Sequence, residues 1–182
     1  LLADMAKDNL VAVAISVTSL DPAIHRTLEP RAPSARKRLA AITALSNAGI
    51  PTYASISPII PAITDHEIEH LVEAAAEAGA KAAFFIPLRL PHEVAPIFRA
   101  WLDEYYPDRA NKVMNIVQSI RQGRDNDPRF FTRMRGAGPW ADLIRTRFAK
   151  ACRKHGLNQE RIALRSDLFR RPAGPQGELE FL

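Results

Sequence analysis

Cysteine is almost absent from this chain: Cys152 stands alone among 182 residues. No intrachain disulfide can form, so a reducing home, the cytoplasm, is expected. Long apolar runs are missing too. None reaches the roughly 18 residues that a membrane-spanning helix takes, and the first residues carry no charged-then-apolar export pattern. Neither a glycine-rich phosphate loop nor a spaced serine, histidine and aspartate set occurs. No internal repeat is present beyond an alternation of strand and helix signals.

What is present is an ordinary globular mixture, 47% hydrophobic and 25% charged, enough for one substantial core or part of a larger one. The net charge of +5 is unevenly placed. Residues 1–120 carry 11 Lys and Arg against 13 Asp and Glu, residues 121–172 carry 14 against 5, and the last ten residues carry two acids. The basic character therefore belongs to the C-terminal third. The segment 121–171, with Arg121 and Arg171 at its ends, is a candidate surface for nucleic acid. A solvated face on arginine-rich helices is the alternative.

Residues 1–8 read as the tail of a helix that Asn9 can end. Residues 10–18 then alternate large branched side chains (Val11, Val13, Ile15, Val17) with small or polar ones (Ala12, Ala14, Ser16, Thr18). Alternate residues face opposite sides of a strand, so one face suits helices and the other a crowded interior. Residues 18–38 follow as a polar loop leading to a helix, which Ser34 caps and Gly49 ends. A second strand is expected over residues 52–58. Pro58 and Pro61 have no donor for a ladder, so they should fall at the strand's end and in the loop beyond. Thr64 and Glu67 have the spacing of a capping box, opening a helix that stops at Gly79. Residues 81–87 make a third strand.

From Pro91 the alternation is expected to cease. Amphipathic helices are read around residues 94–102, with Pro96 near its first turn, and 113–120, closed by Gly123. A loop over residues 124–138 follows, then a helix from Pro139 to Gly156. The fold class is therefore α/β: about three parallel strand–helix units, a partial (β/α) barrel segment, followed by a mainly helical C-terminal region. The expected division is 1–90 for the barrel portion, 91–172 for a basic helical extension packed on it, and 173–182 for a loose tail. Three parallel strands cannot close a barrel, and a bare first edge is a hazard. The reading is that further strands precede Leu1 and that the chain is the C-terminal half of a larger barrel.

Four pieces carry a resemblance: VAVAISVTSLDPAIHRTLEPRAPSARKRL, AGIPTYASISPIIPAITDHEIE, RLPHEVAPIFRAWLDEYYPDR and RMRGAGPWADLIRTRF. In their order and spacing the chain resembles the radical S-adenosylmethionine (SAM) superfamily, and more narrowly the branch of spore photoproduct lyase and "DNA repair photolyase" relatives. The resemblance implies a partial six-stranded (β/α) barrel around SAM and a four-iron four-sulfur cluster. It also implies an enzyme that reductively cleaves SAM to a 5′-deoxyadenosyl radical acting on an unknown substrate, nucleic acid among the candidates. The superfamily's Cys-x3-Cys-x2-Cys loop is absent, and one cysteine cannot hold a cluster that takes three or four thiolates. The ligands are thus expected upstream of Leu1, in the other half of the same barrel, and this chain alone is expected to be inactive.

Carried across position by position, the resemblance places Ser16 and Thr18 at the SAM ribose and amino-acid portion. It gives Glu29, Arg31 and Arg38 to the SAM carboxylate end, where an arginine can form two parallel hydrogen bonds. Ser55, Ser57, Pro58 and Ile60 would line the adenine, and Arg89, just after the third strand, would face substrate. Each has a structural alternative: close packing at Ser16, a loop-fixing ion pair at Glu29, core packing in the second strand, a salt bridge at Arg89. His66 and His70 are spaced as a metal pair, but exposure on a first helical turn is the better reading, and no metal site is assigned. Cys152 reads as a buried thiol. The rival functions are a non-catalytic basic nucleic-acid-binding domain and a barrel enzyme using acid–base chemistry through Glu29.

Overall fold

The computed structural model describes residues 1–130 and 132–170. The tail expected over 173–182, with Arg171 and Pro172, lies outside the described residues. Three parallel strands form one sheet in the order β1 (Val13–Ser16), β2 (Thr52–Ile59), β3 (Ala82–Pro87). The helices are α1 (Leu2–Lys7), α2 (Pro22–Leu28), α3 (Ala35–Asn47), α4 (Ile68–Glu77), α5 (Val94–Tyr105), α6 (Pro107–Ser119) and α7 (Pro139–Lys154). The α/β class and the three parallel strands are as the sequence reads; among the described residues the sheet is open, not a barrel.

One sheet face is packed. Ile42 of α3, Leu71, Val72 and Ala75 of α4, and Ile144 and Phe148 of α7 close over Ala54, Ile56 and Ala83. In-register neighbours share a face, so the opposite face carries Ala14 and Tyr53, then Ser16, Ser55 and Phe84. That face lacks a helix layer, and Ala14, Ser16 and Phe84 are exposed on it. A second core gathers Ile24 of α2, Phe98 and Leu102 of α5, and Val113 and Val117 of α6 around Ile60, Ile63, Leu88 and Leu90, which follow β2 and β3.

The alternation does cease after β3, as read: only helices follow among the described residues. α7 packs on α4 and β3, so it takes the place of the third unit's helix, with α5 and α6 inserted before it. Three expectations are corrected. The loop over residues 18–38 contains a helix, α2, because Asp21 accepts the Ala23 amide at 2.7 Å and Pro22 fills the first helical position. No capping box forms at Thr64 and Glu67. Instead Thr64 accepts the Ile60 amide at 2.8 Å, Glu67 accepts the Leu20 amide at 3.0 Å, and a 3₁₀ turn, Asp65–Glu67, precedes α4.

Lastly, β2 is the central strand and runs one residue past Pro58, to Ile59, so the proline sits within a hydrogen-bonded sheet instead of at its end. The ladder tolerates the proline because its register shifts between Ile56 and Ile59. There the Ser57 hydroxyl accepts the Ile86 amide at 2.9 Å. β1 is also shorter than read, its pairing confined to Val13–Ser16.

Candidate functional site

The candidate residues gather where β1 and β2 end. Beyond β1 the chain is tied down residue by residue: Thr18 donates to the Ser57 carbonyl at 3.2 Å, Ser19 accepts the Asp21 amide at 3.0 Å, and Glu67 holds Leu20. Arg38, on the first turn of α3, reaches back across this segment. Its Nε donates to the Pro33 carbonyl at 2.8 Å, and its Nη1 to the Ser16 carbonyl and hydroxyl at 3.1 and 3.0 Å. Its Nη2 lies 3.2 Å from Glu29. Four groups thus share one buried guanidinium, and it locks the loop to the end of β1. His25 Nε2 lies 3.0 Å from the Ala32 carbonyl. A cavity of about 10 Å³ among Thr18, Ser19, His25, Glu29 and Arg38 has room for about one water.

The sequence-read residues therefore divide. Ser16, Ser55 and Ser57 stand on the uncovered face or at its end, and Ser16 and Ser55 are in register. Thr18 is buried beside Ser57, and Glu29 and Arg38 are engaged with each other. Arg31 is exposed, and its side chain has no partner among the described residues. Pro58 lies half-buried at the register shift, whereas Ile60 is fully buried among α5 and α6, away from that face. Arg89 leans on Met134, its Nη1 3.6 Å from the sulfur, and its buried Nε has no hydrogen bond.

Two aromatic rings on the uncovered face were missed. Tyr53 and Phe84 meet edge to face with centroids 6.4 Å apart, beside Ser55. The signal was available: Tyr53, Ser55 and Ser57 alternate with Ala54 and Ile56, which fixes their common side. Arg121 was read only as surface charge. It is fully buried and donates to the carbonyls of Pro87, Leu88 and Arg133 at 3.3, 3.1 and 2.7 Å, tying the end of β3 to the loop before α7. Burial and the nearby Arg89 hold its pKa below the usual arginine value.

Other charged pairs belong to the scaffold. Arg147 of α7 grips Glu69 of α4 at 2.8 and 2.6 Å, which lowers the Glu69 pKa. His66 and His70 are 67% and 75% exposed, each nearest a carboxylate of its own segment. Among the described residues no group of three histidine, cysteine or acidic side chains could hold a metal ion. Cys152 is packed into the sheet–helix core, where burial pushes its thiol up to about 11. A lone, protonated, buried thiol does not fit an iron–sulfur cluster. The uncovered face does fit a nucleoside: serine hydroxyls from two adjacent strands, with an aromatic pair beside them.

Comparison with known proteins places residues 1–75 in a match to the model of the radical SAM superfamily. The matched stretch covers β1, β2 and the segment between them. Uncharacterized proteins of Mycobacterium tuberculosis and Mycobacterium bovis are each 30% identical over 120 residues, 65% of this chain and 35% of theirs. An uncharacterized protein of Methanocaldococcus jannaschii is 28% identical over 109 residues, 60% of this chain and 40% of its own. The matched part of this chain thus spans little more than a third of the length of these relatives. No solved structure matches the chain. Among the described residues no helix is long and apolar enough to cross a membrane.

Proposed function

We propose that this chain is the SAM-holding part of a radical SAM enzyme, with SAM on the uncovered face of β1 and β2. The observation that carries the reading is a coincidence of two independent facts: the stretch matching the superfamily, residues 1–75, supplies the side chains of that face up to Ser57. Ser16 and Ser55 would meet the ribose and amino-acid portion, and Tyr53 and Phe84 would flank the base. The exposed Arg31 is then the arginine open to the SAM carboxylate, since Arg38 is committed to Glu29, Ser16 and Pro33. When bound beside a reduced cluster, SAM would supply a one-electron route to hydrogen abstraction.

The cluster's thiolates would come from outside these 182 residues, since Cys152 does not fit, and the chain alone would bind SAM without cleaving it. The kinship to spore photoproduct lyase relatives and the continuation of the barrel beyond β1 belong to the same proposal, as does a cytoplasmic setting. The substrate is not transferred with the fold.

Equilibrium binding of SAM to this chain tests the face. Saturable binding that Ser55→Leu abolishes is expected, with the variant's circular dichroism unchanged. The protein from the whole reading frame, reconstituted anaerobically with iron and sulfide, should turn brown and cleave SAM on reduction. A colourless product would sink the radical reading.

A second reading rests on the loop before α7, where Arg133 stacks 4.1 Å over the exposed Phe130 ring. Basic side chains interleaved with aromatics suit single-stranded nucleic acid. Oligo-dT binding that weakens steeply with salt would support it, and salt-insensitive binding would not.

A further inference from the structure

β3 is the sheet's other edge, and the structure treats this edge in two ways. At its start, Asn158 imitates a neighbouring strand: its Oδ1 accepts the Ala83 amide at 2.9 Å and its Nδ2 donates to the Ala83 carbonyl at 3.0 Å. Two residues on, the strand's period turns the Phe85 peptide toward the same edge. Instead of a cap, this part faces a cleft of about 590 Å³ between β3, the loop before α7, and α7 itself.

The cleft's chemistry is lopsided. Phe84, Phe85, Phe148 and Met134 make its apolar wall, Arg135 and Arg145 its charge, and no carboxylate lines it among the described residues. Arg145 is held by Asp142 and donates to the Arg135 and Gly136 carbonyls at 3.5 and 3.4 Å, which shapes the loop. The Arg135 side chain is exposed and has no partner among the described residues. Behind the Met134 wall stand Arg89, with its orphaned buried Nε, and the buried Arg121, which feel each other's charge. Positive charge is thus concentrated here beyond what neighbouring carboxylates balance. Aromatic walls with a few convergent polar groups, at this volume, are the usual make-up of a small-molecule site.

We propose that the cleft beside Phe85 binds a small ligand built of a flat conjugated ring and an anionic group, the ring against Phe84 and Met134 and the anion on Arg135. The outward peptide of Phe85 would read the ring's polar edge. The site stands apart from the SAM proposal except at Phe84, whose ring borders both.

Titration calorimetry with the 182-residue chain tests it, using adenosine 5′-monophosphate, 2-naphthoate, adenosine and inorganic phosphate. At least one of the two aromatic anions should bind saturably at a site that Arg135→Glu removes, and adenosine and phosphate should bind at that site about tenfold more weakly or not at all. Binding of the monophosphate alone assigns the anion as phosphate, and of naphthoate alone as carboxylate. Arg135→Ala should cost about tenfold or more and Arg135→Glu should abolish binding, both at an exposed position that leaves the fold intact. SAM binding should be the same in the Arg135 variants as in the parent chain, so failure here and failure of the SAM reading are told apart. No saturable binding of either aromatic anion, phosphate binding as tightly as they do, or Arg135 variants that bind like the parent would each overturn the proposal.

Discussion

Arg38 and Arg31 are the same residue type seven positions apart, yet they have opposite environments. Arg38 is buried and serves Glu29, Ser16 and Pro33; Arg31 is exposed and serves nothing among the described residues. Arg38→Ala would leave a half-buried carboxylate and two carbonyls unpaired, and breaking such a pair typically costs about 3 kcal/mol or more. Urea unfolding should register that loss, whereas Arg31→Ala should stay within about 0.5 kcal/mol of the parent. Equal midpoints for the two variants would refute the division. Sequence could nominate both arginines but could not rank them, because the burial of Arg38 depends on α2 folding within the loop and turning Glu29 back.

Cys152 gives a pH signature at the same scale. Its thiol rises from an ordinary 9.0 to about 11 in the folded chain because burial disfavours the thiolate. The unfolded chain therefore loses this proton first. Stability from this group is fully present below about pH 9, declines between about 9 and 11, and levels off above. The decline is worth up to about 2–3 kcal/mol. Cys152→Ala should remove that part of the alkaline loss. A parent-minus-variant difference that is flat from pH 8 to 11 would contradict the burial argument.

Among the elements, β3 is fixed by a residue far away in sequence. Asn158 sits at φ 61°, a conformation asparagine tolerates better than most side chains, and from there its amide pairs with Ala83 in both directions. Asn158→Asp keeps the acceptor for the Ala83 amide but sets a carboxylate against the Ala83 carbonyl. Asn158→Ala removes both bonds. Each substitution should cost about 1–3 kcal/mol and speed hydrogen exchange at the Ala83 amide. Unchanged exchange in both would mean the pairing contributes nothing.

The contrast in legibility is also an element-scale matter. α3, α4 and α7 were readable because their apolar stripes and stop signals are local. The Asp21–Pro22 start of α2 is equally local, but it lies inside a polar stretch with too few apolar residues to show a helical stripe. The Thr64 and Glu67 pair failed as a capping box for a different reason. Both side chains had stronger claims elsewhere, on the Ile60 and Leu20 amides, and those claims exist only in the folded chain.

At the scale of the whole molecule the two sheet edges are unlike. β3 has Asn158 and a cleft; β1 has Arg38 on the Ser16 carbonyl and otherwise a bare backbone among the described residues. The amides of Val13 and Val17 point to β2, toward the carbonyls of Pro51 and Ser55. By the strand's period the Ala14 amide points outward. A parallel sheet flanked this way is a template for another strand, and in solution the available strand is that of a second copy. Sedimentation should therefore show self-association that grows with concentration. Ala14→Pro removes the outward donor without touching the ladder to β2, and should restore the monomer while leaving the unfolding midpoint nearly in place. If the parent chain stays monomeric at high concentration, the β1 edge is protected by something other than the described residues, and the sheet needs no neighbour to be stable.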